Sequence, residues 1–247
     1  MRFLGINLCE KVPDAKTIWK FKNDLAETET VDKFFCMFDE HLENKGLISH
    51  KGTIVDAPRQ RNSRDENNKI KNGEIPEEWE KPENKSKLAQ KDIDADWTKK
   101  NGERHFGYKD HVKCDADSKL ITNYSITSAS VHDSQRCLVF IGQEDEVLYA
   151  DSAYSGKPIA LALPENCKNQ ICEKGYRNSP LTSEQKMNNR RKSRIRCRIE
   201  HIFGFMTGAM HGITIRSIGI TRAWMNIGIT NLVYNFCRYS YLKRASA

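Results

Sequence analysis

Apolar residues recur at helical spacing in two segments near the start of the chain. The first segment predicts a helix with Asp14 as its N-cap, and the second predicts a helix that stops at Gly46. Their apolar faces consist of Ile18, Trp19, Phe21 and Leu25, and of Val31, Phe34, Phe35, Phe38 and Leu42. Two such helices are typical of a DNA-binding helix-turn-helix and also of a packed helical hairpin. The pattern favours packing, with the phenylalanine stripe in the core.

Four segments further along have the composition of β-strands. Residues 51–57 predict a strand, and Pro58 is expected to block any continuation of its hydrogen-bond ladder. Residues 105–114 and 120–129 predict an antiparallel hairpin, because both are rich in β-formers and a turn-forming segment joins them. A short apolar run at 147–150 predicts a fourth strand that ends on a carboxylate.

Helices are expected between and after these strands. A short helix is expected at 133–141, another after Pro158, a long one at 183–210 with Ser183 as its N-cap, and a last one at 222–242. This order of strands and helices predicts a mixed α/β fold, with a sheet flanked by helices.

Residues 59–104 differ in character from the rest of the chain. They are dense in Asn, Lys, Glu and Asp and poor in apolar residues, which predicts a charged flexible insertion. The 247 residues are therefore expected to form a partial helical N-terminal region at 1–50 and one α/β domain at 51–247 that carries this insertion.

Composition narrows the functional classes. No run approaches the roughly 20 apolar residues of a membrane span, so no membrane partner is expected. The first residues turn polar too quickly for a signal peptide. The eight cysteines are scattered without a C-x-x-C pair, which indicates reduced thiols in a cytoplasmic protein.

Charge is distributed unevenly along the chain. The formal net charge is +7, yet residues 168–247 contain 15 Lys and Arg against 3 Asp and Glu. A basic C-terminal third suggests a polyanionic partner that meets one face of the protein. A solvated basic surface is the alternative.

Three acidic residues occupy suggestive positions. Asp56 ends the first predicted strand, Asp151 ends the fourth, and Glu200 lies on the long basic helix. The first and fourth strands of a ribonuclease H-like sheet are neighbours, so the two aspartates would be close and Glu200 could complete a triad. Three carboxylates suit Mg²⁺, and paired ions about 3.5–4 Å apart promote phosphoryl transfer. Each acid taken singly is also compatible with a structural or surface role.

The helix that carries Glu200 is strongly basic. Seven of the 13 residues at 186–198 are Lys or Arg, which suits a helix that grips phosphates. The candidate DNA contacts are Arg190, Arg191, Lys192, Arg194, Arg196 and Arg198. Arg196 and Glu200 are four residues apart on one face, and a simple helical ion pair is the alternative interpretation.

These residues are part of a wider resemblance. The chain resembles insertion-sequence transposases of the DDE class, in the branch named after insertion sequence five, over nearly its whole length. The matching segments are 12–21 (VPDAKTIWKF), 54–61 (IVDAPRQR), 97–100 (WTKK), 105–111 (HFGYKDH), 131–134 (VHDS), 149–154 (YADSAY), 199–204 (IEHIFG) and 231–238 (NLVYNFCR).

The resemblance implies a specific chemistry. Asp56, Asp151 and Glu200 match the catalytic acids of the family, and Arg196 matches the arginine four residues before its glutamate. The implied fold is a ribonuclease H-like mixed sheet flanked by helices. The implied activity is cleavage and strand transfer at the terminal inverted repeats of an insertion sequence, with Mg²⁺ or Mn²⁺ as cofactor. The implied partner is double-stranded DNA, bound by a homodimer or higher oligomer that associates with the nucleoid.

Two auxiliary residues and one alternative accompany this hypothesis. His132 and Tyr154 are expected near the site. For His132 and Asp133, a turn with Asp133 as helix cap is favoured over an acid/base dyad, and simple packing of Tyr154 is equally compatible with the sequence. Relatives usually have more chain before residue 12, so part of a DNA-recognition region is expected to be missing. A truncated, non-catalytic DNA-binding remnant is therefore the alternative function.

Overall fold

The computed structural model describes residue 5 and residues 11–62, 74–100, 102–212 and 214–245. Within these ranges, eight strands form one mixed sheet with helices packed on both faces. The helices are α1 (Ala15–Glu27), α2 (Thr30–Asn44), α3 (Glu77–Glu80), α4 (Lys85–Leu88), α5 (Ser134–Phe140), α6 (Lys157–Ala162), α7 (Ser183–Arg196), α8 (Arg198–Gly208) and α9 (Ile220–Ala245). The strands are β1 (Thr53–Asp56), β2 (Arg59–Asn62), β3 (Asp96–Lys100), β4 (Glu103–Asp115), β5 (Ile121–Ser128), β6 (Val147–Tyr149), β7 (Lys168–Asn169) and β8 (Thr214–Ile215).

Strand β4 is the centre of the sheet. One of its edges pairs antiparallel with β1 and β2, and the other pairs antiparallel with β5, as the predicted hairpin requires, and with β3. Beyond β1 come β6 and β7, both paired in parallel. The adjacency of β1 and β6 confirms that the first and fourth predicted strands lie side by side.

The residues of β1 alternate between two apolar layers. Ile54 faces a large core that includes residues of α2, α8 and α9, whereas Val55 faces a second core formed with α5 and α6. This alternation follows from the two-residue period of a strand. In the described residues, no helix is long and apolar enough to span a bilayer.

Pro58 was expected to end the hydrogen-bond ladder of β1, but the ladder continues past it. Asp56 lies opposite Val112 on β4, and Arg59 lies opposite Lys109, so the register is the same on both sides of the proline. The Pro58 carbonyl oxygen accepts a hydrogen bond from the Asp110 N–H at 3.0 Å. Proline removes one donor but keeps its acceptor, and the pairing therefore continues past it.

The described part of the segment 59–104 is built into the sheet, contrary to the expected flexible insertion. β2 and β3 pair with β4, and Trp79 of α3 is buried. Buried Asp92 accepts hydrogen bonds from Asn62 Nδ2 at 2.6 Å and from the Tyr108 hydroxyl at 2.7 Å. Backbone pairing and a buried polar network need few apolar residues, which explains why composition misled the prediction. Residues 63–73 and 101 lie outside the described ranges.

Helix α1 begins as predicted but is less buried than predicted. The Asp14 Oδ1 atom accepts a hydrogen bond from the Thr17 N–H at 2.7 Å, which confirms the N-cap. In contrast, the side chains of Ile18, Trp19 and Phe21 are exposed, Trp19 at 60%. The helix meets the body of the protein near its C-terminal end, where Ala26 is buried.

Helix α2 packs against α9, in agreement with the packing interpretation. Phe35 is buried in the large core, and the Phe38 and Phe236 rings meet edge to face at a centroid distance of 4.5 Å. Phe34 points away from this contact and is exposed, so the prediction that the whole phenylalanine stripe is core is wrong.

The predicted long helix at 183–210 is two helices separated at Cys197. Its N-cap is Thr182 rather than Ser183: the Gln185 N–H donates to the Thr182 hydroxyl, and the Thr182 N–H donates to the Gln185 side chain. This reciprocal pair is a capping box. Helix α7 buries no residue, whereas α8 buries Ile199, Ile202 and Met206. Helix α8 packs on the core with three buried side chains, whereas α7 contributes the partly buried Ile195.

Candidate active site

Two aspartates lie at the same end of the sheet. Asp56 is the last residue of β1, and Asp151 follows β6 by two residues. In the parallel register Thr53 pairs with Leu148 and Ile54 with Tyr149. The same offset places Asp56 level with Asp151, and residues at equal register on neighbouring strands share a face. The pairing therefore directs both carboxylates to the same face of the sheet, at the C-terminal ends of β1 and β6.

Backbone N–H groups orient both carboxylates. The Asp56 Oδ1 atom accepts from the Ala57 N–H at 2.8 Å, and the Asp151 Oδ1 atom accepts from the Ala153 N–H at 2.7 Å. The second bond caps a single 3₁₀ turn at Ser152–Tyr154. An acid is stable at this position because the first N–H groups of a helical turn lack partners within the turn.

Arg196 joins the first aspartate to the glutamate. Its Nη1 atom lies 3.1 Å from Asp56 Oδ2, and its Nη2 atom lies 3.2 Å from Glu200 Oε1. Arg196 and Glu200 form the expected pair four residues apart, across the break at Cys197 between α7 and α8. The contact with Asp56 spans 140 residues of sequence. One guanidinium thus bridges two carboxylates and compensates one of their two negative charges.

Arg196 links Asp56 and Glu200, but the three acids do not form a closed metal-ligand cluster. Among the described residues, the group of three metal-ligating side chains whose ligand atoms all lie within 4.8 Å is a different one, formed by His50, Glu144 and Asp145. Asp56, Asp151 and Glu200 do not form such a group. Arg196 lies between two of them, so the observed arrangement is that of carboxylates paired with an internal cation.

The group of His50, Glu144 and Asp145 has its own internal cation. The Lys113 Nζ atom lies 2.9 Å from Asp145 Oδ2, and the Thr53 hydroxyl donates to Asp145 Oδ1 at 2.6 Å. With Lys113 and Asp145 both buried, this pair is a structural ion pair that ties β1 and β4 to the turn before β6. We assign no metal to it.

The six candidate DNA contacts divide into two sets. Lys192 donates to the Ile171 carbonyl at 2.9 Å, and Arg198 contacts the Ala116 carbonyl at 2.9 Å, while Arg196 is bound as described above. The other three side chains project from α7 and are exposed: Arg190, Arg191 and Arg194. The first set fixes the helix to the sheet, and the second presents positive charge to solvent.

Comparison with known proteins decides the family. Residues 49–236 match the family model described as the transposase DDE domain. The chain belongs to this family. No solved structure matches it. Membership establishes a DNA-acting transposase domain, a class that uses divalent metal ions.

The donors in this transposase domain fit a divalent cation. Asp56, Asp151 and Glu200 supply carboxylate oxygens, the ligands that Mg²⁺ and Mn²⁺ prefer. Asp56 and Glu200 already share one positive group, Arg196, and Asp151 lies level with Asp56 on the next strand. Glu200 is the more accessible of the two carboxylates that contact Arg196, with a side chain 59% exposed against 20% for Asp56. It can therefore turn towards the aspartates.

The auxiliary residues of the transposase site have unequal environments. His132 is exposed, and its Nδ1 atom accepts from the Ser134 N–H at 3.3 Å within a local turn. Asp133 occupies the N-cap position of α5, as predicted, but its side chain makes no capping hydrogen bond. It forms an ion pair with Lys109 at 2.8 Å instead. Tyr154 is completely buried.

Sequence reasoning missed a polar row on β4 behind the site. The alternate residues Lys109, His111 and Lys113 share one face and are all buried. Burial lowers the pKa of His111 to about 4, and the nearby cations of Lys109 and Arg136 add to this effect while Asp133 opposes it. The Lys-x-His-x-Lys alternation was the available signal, because it puts the three polar side chains on one face of the strand. That helices cover this face was not visible in the sequence.

Proposed function

We propose that this chain is an insertion-sequence transposase of the branch named after insertion sequence five. Its proposed reaction is the metal-dependent cleavage of DNA at the terminal inverted repeats of its element, followed by strand transfer. The observation that carries the proposal is the parallel pairing of β1 and β6. Its register supports a position of Asp56 and Asp151 at the same end of two neighbouring strands. Family membership supplies the reaction class.

The proposed fold is ribonuclease H-like. Support comes from the strand order, in which β7, β6, β1, β4 and β5 follow one another and β1 is the strand that joins the parallel to the antiparallel part. We propose that residues 51–247 form this catalytic domain and that residues 1–50 are a helical N-terminal region. The contacts of α1 and α2 with α9 attach that region to the domain.

Each acid has a proposed role. Asp56 and Asp151 are metal ligands held in orientation by backbone N–H groups, and Glu200 completes the ligand set from α8. Bound Mg²⁺ or Mn²⁺ would supply activation of the attacking oxygen and stabilisation of the leaving oxygen at the phosphate. When no divalent ion is bound, Arg196 would pair with both Asp56 and Glu200. Its positive charge would lower the repulsion between the carboxylates, which would otherwise raise their pKa values.

The proposed DNA surface is the exposed side of α7. Arg190, Arg191 and Arg194 would contact phosphates of double-stranded DNA, since each such contact releases counterions and adds affinity that salt weakens. Exposed His132 would lie beside the bound strand. Two element ends must be joined in one reaction, so we include a dimer or a higher oligomer on DNA in the proposal.

Cleavage of a defined substrate tests the function. The purified chain would be mixed with Mn²⁺ or Mg²⁺ and a duplex that carries the ends of its own element, and 3′ nicks would be mapped. Asp151→Asn should abolish nicking, whereas the matched acid-to-amide control Glu144→Gln should not. DNA binding without nicking would refute the proposed activity, and nicking by Asp151→Asn would refute the site assignment.

A further inference from the structure

A concave pocket lies against helix α8, which also carries Glu200. It is bounded by α8, the C-terminal half of α9 and the turn that joins β4 to β5, and its volume is about 220 Å³. Most of its lining residues are aromatic or basic: Phe205, Tyr234, Tyr241, Lys119, His201 and Arg238. None of the described residues that line it is acidic. The pocket therefore suits a ligand that combines a negative charge with a flat apolar face.

The aromatic side chains of the pocket leave ring surface open to a ligand. Phe205 is 39% exposed and Tyr241 is 56% exposed. The Phe205 ring meets the buried Tyr234 ring edge to face at a centroid distance of 5.8 Å, and the Arg238 guanidinium lies 5.0 Å from the centre of the Tyr241 ring. Nucleobases stack on such rings, arginine adds a cation–π contribution, and any base can take part because every base has a π-face.

The conformation of Lys119 indicates that its side chain has a use. Its φ is +59°, in the left-handed region that residues with a long side chain rarely adopt. The Tyr234 hydroxyl donates to the Lys119 carbonyl at 2.8 Å, and Arg238 Nε donates to the Ser118 carbonyl at 2.6 Å, so α9 holds this turn in place. The Lys119 ammonium forms no hydrogen bond or ion pair with the described residues. An unfavourable backbone conformation that presents a free cation to a pocket points to a binding role.

Helix α8 connects the pocket to the candidate active site. His201 lines the pocket and Glu200 contacts Arg196, and consecutive helical residues point about 100° apart. Arg198 of the same helix donates to the Ala116 carbonyl of the β4–β5 turn at 2.9 Å. The pocket and the carboxylate therefore lie on adjacent sides of one anchored helix, and a DNA strand that reaches Glu200 can continue to the pocket.

We propose that this pocket binds an unpaired nucleotide of a DNA strand, with the base stacked on Tyr241 and the phosphate paired with Lys119. The inference rests on the proposed function for the identity of the polymer. A paired duplex keeps the faces of its bases within the stack, so it cannot offer a base to an aromatic pocket. Nicking produces a strand end that can leave the stack. The occupant is thus distinct from the duplex phosphates assigned to α7.

The test compares two labelled probes by fluorescence anisotropy, without divalent ions so that no cleavage occurs. One probe is a fully paired duplex, and the other is the same duplex with an unpaired oligothymidine overhang. Tyr241→Ala should weaken binding of the overhang probe by about 10-fold, the effect of losing one base–aromatic stack, and should leave the paired duplex unchanged.

Tyr176→Ala is the matched control. Tyr176 is also an exposed tyrosine with a cation over its ring, that of Lys174, and it lies outside the pocket. This variant should leave the ratio of the two affinities unchanged.

Lys119→Asn separates a binding role of the lysine from a structural one. Asparagine adopts the left-handed conformation more readily, so the melting temperature should be equal to or higher than that of the original protein. The loss of the charge should lower the slope of log affinity against log salt by about 0.7 on oligothymidine alone. An unchanged slope would show that Lys119 does not contact the phosphate.

The outcomes distinguish this inference from the proposed function. If Tyr241→Ala weakens both probes equally, or neither of them, the pocket does not bind an unpaired nucleotide, and the proposed cleavage stands. If thymidine 5′-monophosphate binds as tightly as oligothymidine, the pocket is a free-nucleotide site and the strand assignment is wrong. Failure to nick the element's ends, with the Tyr241-dependent preference for the overhang retained, would refute the proposed function alone.

Discussion

Asp110 on β4 offers a sharp test of how this sheet is held to α9. Its carboxyl is fully buried and lies against buried Asn231, whose Nδ2 atom donates to Asp110 Oδ1 at 3.2 Å. The remaining oxygen of each side chain, Asp110 Oδ2 and Asn231 Oδ1, has no partner. A proton on Asp110 would let Oδ2 donate to the Asn231 oxygen, which satisfies both atoms. The geometry thus fits the neutral acid.

The magnitude follows from the change in pKa. Burial raises the pKa of Asp110 from 3.8 to about 7, and the hydrogen bond from Asn231 only partly opposes it. The folded-state pKa exceeds the unfolded one, so the stability contribution is complete below the unfolded value and is lost as pH rises through the folded value. At about 1.36 kcal/mol per pKa unit, the total loss is roughly 4 kcal/mol. About 2.5 kcal/mol of it falls between roughly pH 5 and pH 8.

The assay compares the original chain with Asp110→Asn by urea denaturation across this pH range. An asparagine keeps the shape and offers its Nδ2 atom to the Asn231 oxygen, so the pair is complete at every pH. The free energy of unfolding of the variant should exceed that of the original chain at high pH, by a margin that grows by about 2.5 kcal/mol from about pH 5 to about pH 8. A difference that does not change with pH would refute the reasoning.

Three further predictions address the site, the sheet and the DNA surface. Arg196→Gln removes the internal cation that competes with a metal ion for the carboxylates. The Mn²⁺ affinity, measured by electron paramagnetic resonance, should therefore rise about 2–5-fold, the range expected from ion pairs worth about 0.5–1 kcal/mol. Weaker Mn²⁺ binding by this variant would contradict the prediction. Gly107→Ala should destabilise the fold by roughly 2–4 kcal/mol in urea denaturation, because φ is +149° and a Cβ atom would collide with the β2 backbone, whereas Gly204→Ala in open space on α8 should be neutral or stabilising. Arg191→Gln should lower the slope of log affinity against log salt on duplex DNA by about 1, and Arg244→Gln at the end of α9 should not; equal slopes would place DNA elsewhere.

Local features of this chain were predictable because their causes are local. The Asp14 cap, the strand at 51–57, the hairpin built on β4 and the long last helix depend on residues close in sequence. The level ends of β1 and β6 also followed, once two apolar runs that stop on aspartate were assigned to neighbouring strands. The buried polar row on β4 was not predictable in this way. Lys109 and His111 lie in a predicted strand, but composition does not reveal that helices cover both faces of the sheet.

The sequence by itself determined which residues carry charge at the strand ends and on the basic helices, because hydrophobic period and residue type are written along the chain. Only the tertiary structure decided how those charges meet. Arg196 contacts Asp56 across 140 residues of sequence, and Lys192 and Arg198 bind backbone carbonyl groups. Tyr154 buries its hydroxyl in the second apolar core. Such contacts depend on where packed elements finally lie, and packing is set by the whole core at once.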